Sequence, residues 1–443
     1  MNINELHKGK GQKLYQKART IIPGGTQLLG KRAEMYLPEQ WPSYYSKAKG
    51  CEIWDLNGRK FTDCSMVGIG TSVLGYSDPE VNAAVIGAVR NGSMTTLNPP
   101  EEVELAELLC DLHPWAEMVR YARTGGEVMA MTVRIARAAT GRDKIAFCGY
   151  HGWHDWYISS NLAEDKALDG HLLPGLEPLG VPRGLKDTML PFRFNHLEDL
   201  QHIISEHGQS LAAIVMEPCR DEGPAPGFLE SVRNLATQVG AVLIFDEVTS
   251  GWRMATSGMH MIYGVYPDLV AFGKTMSNGI AMAAVIGRAE IMDFAQRTFI
   301  SSSYWTERLG PTAAIATLTK HRRENIGQYL TEVGTQVQRA WKKIALQEGL
   351  IIKVSGIPPL ASFSLEYDNK PALLTLFIQE MLDRKILASD RFYANFCHKE
   401  RHLKQYFKAL HEVFHILSDA LLKDDVEARL RGPVKHMGFK RLT

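Results

Sequence analysis

The chain has 443 residues, 45% of them hydrophobic, with 50 Lys and Arg against 49 Asp and Glu. That length exceeds one compact core and predicts at least two lobes, while the balanced charge argues against bulk electrostatic recognition of nucleic acid or a membrane surface, outside a local patch. The scattered Cys51, Cys64, Cys110, Cys148, Cys219 and Cys397 form no Cys-x-x-Cys, so neither a metal site nor a disulfide framework is expected and a reducing cytoplasm is the simplest location.

Met1 to Lys10 mixes acidic and basic residues without an apolar core, so no secretory leader is expected, and no run reaches the length of a membrane span. Leu6 to Ala18 reads as a polar helix broken by Ile21-Ile-Pro-Gly-Gly25. Cys51 to Asp63 alternates around Asn57-Gly58 and predicts a hairpin with a type I′ turn. Asp78-Pro-Glu80 opens a helix through Val81 to Arg90, and Glu101 to Leu112 repeats the pattern. Next, Met118 to Ala122, Arg123-Thr-Gly-Gly-Glu127 and Val128 to Ala139 read as strand, glycine turn and helix. Paired glycines at a helix N-terminus suit a phosphate, and an ordinary turn between strand and helix fits them equally.

From Asp143 onward strands at Lys144 to Cys148, Ala212 to Pro218, Gly240 to Val248 and Asp268 to Gly273 alternate with helical segments such as Leu197 to Glu206 and Phe228 to Val239. This is the rhythm of a parallel sheet covered on both faces. Ser159 to Arg193, rich in Gly, Pro and Leu, reads as a surface excursion. Gly240 to Val248 is an apolar run too short for a helix and delivers Asp246 at its end; Lys274 closes the next such run, and Ala281 to Arg288 follows. An acid and a lysine at the C-terminal edges of nearby strands mark a ligand site in an open α/β sheet. Glu217 falls in the same layer. After Pro311 an α+β pattern sets in, so the expected division is an N-terminal segment 1–65 packing with a small domain at 311–443, around a large domain at 66–310. The basic tail from Ala428 to Thr443 reads as a solvated or packing extension.

Burial lowers the pKa of a lysine amine, so Lys274 could form a Schiff base with an aldehyde cofactor such as pyridoxal 5′-phosphate. Asp246 would then hold the ring-nitrogen proton, and Gly125 and Gly126 the phosphate. Taken singly, Asp246 also fits a helix cap or an ion pair, and Lys274 a surface lysine. His151 and His154 read as loop histidines or cofactor neighbours, since nothing frames them as metal ligands.

The ordered set Trp54-Asp-Leu-Asn-Gly58, Gly125-Gly-Glu127, Tyr150-His-Gly152, Met216-Glu-Pro218, Asp246-Glu-Val248, Gly251-Trp-Arg253, Gly273-Lys274 and Gly287-Arg288 resembles the class III (ω-type) aminotransferases. These belong to the fold-type I superfamily of pyridoxal-phosphate enzymes, and the likeness is strongest to the glutamate-1-semialdehyde aminomutase branch. It implies an α/β fold with a mostly parallel large-domain sheet and a smaller α+β domain. It also implies a Schiff base on Lys274, a pyridinium partner in Asp246, ring faces covered by Val248 and Tyr150, and a phosphate turn of Thr124, Gly125 and Gly126. Glu217 would lie near the ring hydroxyl, and Thr306 would reach the cofactor phosphate of the neighbouring subunit in a homodimer.

The expected reaction is transfer of an amino group from an amino-acid donor to an aldehyde or ketone, with an oxo-sugar one candidate acceptor. The runner-up is a 2,1-aminomutase; a decarboxylase, a racemase and a silent cofactor-binding homologue stand behind it. Departures from the family pattern fall at Arg123, Gly126, Thr275 to Met282 and Ser301 to Arg308, and a substrate carboxylate could fall to Lys31 or Arg32.

Overall fold

The computed structural model describes residues 9–438 apart from 165, 170, 172, 173 and 220. Most of the Met1 to Lys10 stretch and the end of the basic tail, 439–443, lie outside the described residues. The helix expected from Leu6 runs, as described, over Lys10–Ile21. Two compact units emerge, one of Pro79–Gln328 and the other of the described residues on either side of it.

In the split unit β1 (Tyr45–Lys49), β2 (Glu52–Asp55) and β3 (Lys60–Cys64) form an antiparallel meander. The hairpin around Asn57-Gly58 forms with Trp54 opposite Lys60. Its turn is not type I′, because Gly58 has a positive φ of 77° and Asn57 does not. Asp55 imposes the alternative: Oδ1 accepts the amides of Asn57 (2.9 Å) and Arg59 (2.8 Å), and Oδ2 takes Arg59 Nε at 2.7 Å, a side-chain-capped turn.

The continuous unit is built on β4 (Met118–Ala122), β5 (Lys144–Cys148), β6 (Met189–Pro191), β7 (Leu211–Met216), β8 (Val242–Asp246), β9 (Leu269–Phe272) and β10 (Ala283–Gly287). These lie in the order β4-β10-β9-β8-β7-β5-β6. Strands β5 to β9 pair in parallel, whereas β10 runs antiparallel to both β4 and β9. The link from β9 to β10 is too short for the crossover of roughly a dozen residues that a parallel return demands. The expected surface excursion at Ser159 to Arg193 is corrected at one point: it contains β6, where Met189 pairs with Ile145 and is buried together with Leu168 and Phe192. Three residues are too few to show a strand period.

Strand alternation makes three layers. Leu243, Phe245, Val270 and Phe272 pack on one face with Phe228, Val232 and Ala236 of the Phe228–Val239 helix. Val242, Ile244, Leu269 and Ala271 pack on the other with Val128, Met131 and Ile135 of the Gly125–Thr140 helix. Each of the large side chains so buried contributes about 1.5–3 kcal/mol. Carried past Ile244, the same alternation sends Asp246 to the face of the Gly125–Thr140 helix and Glu247 to the opposite one.

The split unit is completed by β11 (Ile352–Ser355), β12 (Leu360–Leu365), β13 (Ile386–Ala388) and β14 (Arg391–Tyr393). Strand β13 joins β3 in parallel, and β11, β12 and β14 make a separate sheet beside the helices Lys370–Asp383 and Glu400–Leu422. Among the described residues no helix is long and apolar enough to cross a membrane.

Candidate active site

Asp246 is the last residue of β8 and is 4% exposed. Its Oδ1 accepts the amide of Val248 at 3.0 Å and its Oδ2 lies 2.8 Å from His151 Nδ1. His151, 1% exposed, enters from the loop after β5, and its Nε2 lies 3.1 Å from the Cys148 carbonyl. Both ring nitrogens therefore lie within hydrogen-bond reach of oxygen atoms. The partner of Asp246 sits 95 positions away; the one local signal was its place in Tyr150-His-Gly152.

Lys274 follows Gly273 at the end of β9 and opens the turn Lys274–Ser277. Its φ is 41°, the left-handed region, which costs a non-glycine residue about 1–2 kcal/mol. Its Nζ donates to Thr249 Oγ1 at 2.7 Å. Val248, 9% exposed, packs close by: a Cβ on Gly273 would come within 3.3 Å of its Cγ1, and one on Gly125 within 3.0 Å. Neighbouring parallel strands, with Asp246 level with Ala271, thus bring the acid, Val248 and the lysine to one edge.

The Gly125–Thr140 helix begins with Thr124 as N-cap. Thr124 Oγ1 accepts the Glu127 amide at 3.3 Å, while Glu127 Oε2 accepts the amides of Thr124 (2.9 Å) and Arg123 (3.1 Å). This capping box leaves the amides of Gly125 and Gly126 without a partner among the described residues. His154 Nδ1 is likewise buried and unpaired among them. A Cβ on Gly126 would come 2.9 Å from that ring, so the glycine keeps open a cradle lined by two amides and an imidazole. Burial pulls His154 below the usual histidine pKa, with Glu127 and Asp155 opposing.

Glu217 follows β7, and its Oε2 accepts the Tyr150 amide at 3.1 Å. A Cβ on Gly149, whose φ is 109°, would lie 2.7 Å from that oxygen, so glycine permits the approach. Gly149 also donates its amide to His171 Nδ1 at 3.1 Å, and burial pulls the His171 pKa down to about 4.

Thr306 is not part of this set of contacts. It lies exposed at the end of the turn Ser303–Thr306, its hydroxyl donating to the Ser303 carbonyl at 2.8 Å. Arg123 ties that turn to the start of the Gly125–Thr140 helix: its Nη2 donates to the carbonyls of Trp305 (3.0 Å) and Glu307 (2.8 Å), and its Nε lies 2.8 Å from Glu307 Oε1. Lys31 and Arg32 belong to the other unit, Lys31 exposed at the end of the turn Leu29–Lys31 and Arg32 half-buried against Gly24.

A phosphorylated, carbonyl-bearing heteroaromatic ring suits this edge. The open amides and His154 match a phosphate, Asp246 a protonated ring nitrogen, and Lys274 a carbonyl carbon. Neither Thr249, the bonds of His151 nor the unpaired Nδ1 of His154 was legible in the sequence.

A model of the class-III aminotransferases matches residues 37–414. The chain is 29% identical over 406 residues to 3-aminobutyryl-CoA aminotransferase of Cloacimonas acidaminovorans, covering 89% of this chain and 94% of that protein. It is 32% identical over 411 residues to glutamate-1-semialdehyde 2,1-aminomutase of Heliobacterium modesticaldum, covering 87% and 92%. The PLP form of the FumI protein of Sphingopyxis sp. MTA144 superposes with a TM-score of 0.84 at 23% identity, over 95% of this chain and 98% of that one, a likeness of fold.

Proposed function

The chain belongs to the class-III aminotransferase family, pyridoxal-phosphate enzymes, and from that premise we propose that it transfers an amino group from an amino-acid donor to an aldehyde or ketone acceptor, with Lys274 as the reactive amine. The single observation that carries the reading is the placing of Asp246 and Lys274 on one edge of adjacent parallel strands, with Val248 packed against Gly125 and Gly273.

Bound pyridoxal phosphate supplies an aldehyde carbon and a pyridinium ring that withdraws an electron pair from the α-carbon of an amine. Asp246 holds the ring-nitrogen proton, with one lone pair of each oxygen already engaged by Val248 and His151 and the other left for that task. Val248 and Tyr150 cover the two ring faces, and Glu217 stands on the ring hydroxyl side. Thr124, Gly125 and Gly126 hold the phosphate; the Thr124 hydroxyl, which accepts from Glu127, still has its own proton to donate. Lys274 removes the proton from the substrate α-carbon and returns it, the role of a half-buried amine held by the Thr249 hydroxyl. Thr306 completes the phosphate site of a second subunit, which makes a homodimer the working form, in the reducing cytoplasm that the scattered cysteines suit.

An aminomutase reading is favoured by the 32% identity to the Heliobacterium enzyme. Supplying a donor with isotopically labelled nitrogen, together with a panel of carbonyl acceptors that includes oxo-sugars, separates the two. Transfer puts the label in a second carbon skeleton, and isomerisation keeps it in the first. Absence of both from every donor tested would contradict the proposal.

A further inference from the structure

We infer that Thr249 is a positioning residue for the reactive amine: its hydroxyl receives Lys274 Nζ whenever that nitrogen is not bonded to cofactor, and holds it at the strand-end edge that also carries Asp246. This rests on Lys274 being the reactive lysine.

The bond is 2.7 Å long and joins residues 25 positions apart. A lysine side chain carries about 2 kcal/mol of rotamer entropy, so a partner that selects one rotamer matters. Thr249 can act as such a partner because it is itself fixed. It is 9% exposed, its branched side chain has few χ1 choices, and its carbonyl accepts Nε of the buried Arg253 at 3.0 Å. The loop after β8 and the turn after β9 are stapled a second time by Thr275 Oγ1, which donates to the Gly251 carbonyl at 2.9 Å.

The chemistry of the acceptor is the second support. A hydroxyl oxygen accepts one N–H of the amine and does not itself engage the nitrogen lone pair, the pair that attacks a carbonyl or takes a proton. Thr249 exchanges no proton here; it directs the one nitrogen that does.

The test follows the appearance of the yellow absorbance when pyridoxal phosphate is mixed with cofactor-free protein, and the kinetic isotope effect with an α-deuterated donor. Thr249→Val keeps the shape and loses the acceptor, so the yellow form should appear about tenfold more slowly, and the isotope effect should rise while KM for the donor holds. Thr249→Ser should return the rate to within about twofold of native. Thr249→Ala, which only removes atoms, replaces the valine variant if that one does not fold. Lys274→Ala separates the two levels: if it still turns yellow, the lysine reading itself falls. If it stays colourless while Thr249→Val matches the native rate and isotope effect, Thr249 has no such role. A serine variant as slow as the valine one would assign the effect to methyl packing and also overturn the inference.

Discussion

Asp246 and Glu247 are consecutive carboxylates that point to opposite faces of one sheet, each ending on a buried histidine. Asp246 Oδ2 lies 2.8 Å from His151 Nδ1, and Glu247 Oε1 lies 2.6 Å from His260 Nδ1. Beyond the first pair lies the cradle at Gly126; behind the second, His260 Nε2 accepts the Trp115 indole N–H at 2.9 Å. Strand alternation thus sends adjacent acids to opposite faces, one to the candidate site and the other into the packing around His260.

Removing the second acid should weaken the fold rather than tune the site. Glu247, with no exposed surface, also accepts the amides of Met259 and His260. Glu247→Ala strands all three donors and should cost roughly 3–5 kcal/mol, measured as a lower urea midpoint. An unchanged midpoint would show that His260 is satisfied without it.

His151→Ala should do the reverse. It removes one charge-assisted bond that aims Asp246, of roughly 1.5–3 kcal/mol, so turnover should fall roughly 10- to 100-fold while the cofactor is retained. The comparison needed is kcat against the bound yellow absorbance of the same sample. Parallel loss of both would mean that His151 supports the fold of the loop instead.

Acid should destabilise the continuous unit, and two of its buried histidines, His113 and His321, show why. His113 donates from Nδ1 to the Leu109 carbonyl (2.9 Å) and accepts the Gly258 amide at Nε2 (3.0 Å). His321 donates to the Trp252 carbonyl (2.9 Å) and accepts from Thr256 (2.8 Å). Both rings are bonded in the neutral form, and burial first of all pulls each pKa from 6.5 down to about 4. Below pH 6.5 the unfolded chain binds protons that the fold refuses, so stability is intact above that pH and falls toward pH 4, by about 1.4 kcal/mol per pH unit for each histidine. Urea titrations at pH 7 and pH 5 would measure the slope, and His321→Asn should make it shallower.

Arg123→Leu should release the Ser303–Thr306 turn. Burial holds this guanidinium below its usual pKa, with Glu307 opposing, and its bonds to Trp305 and Glu307 are the link between that turn and the start of the Gly125–Thr140 helix. Hydrogen exchange over 303–307 should quicken roughly tenfold or more, with the Gly125–Thr140 helix unchanged. Equal protection in the variant would show that Arg308, paired with Glu101 at 2.5 Å, suffices to hold the segment.

The layer of strand ends was legible because it is local: a short apolar run ending in Asp246, another ending in Lys274, and Glu217 at the same level all follow from burial on two faces. What pairs with those residues was not. His151 reaches Asp246 and Arg123 reaches Glu307 only after the sheet has brought distant segments together, and a sequence window contains neither partner. The direction of β10 could have been inferred from the short link after Lys274. The capped turn at Asn57-Gly58 was misjudged because the Asp55 carboxylate outweighed the Asn-Gly preference.

The central claim is that Lys274, on the same strand-end edge as Asp246, is the amine that bonds pyridoxal phosphate. Adding the cofactor, reducing with borohydride and mapping peptides by mass spectrometry tests it most directly. The account predicts a reduced pyridoxyl group on Lys274, absent in Lys274→Ala and still present in an Asp246→Asn variant that has lost most of its turnover. A label on another lysine, or none in the native protein, would contradict it.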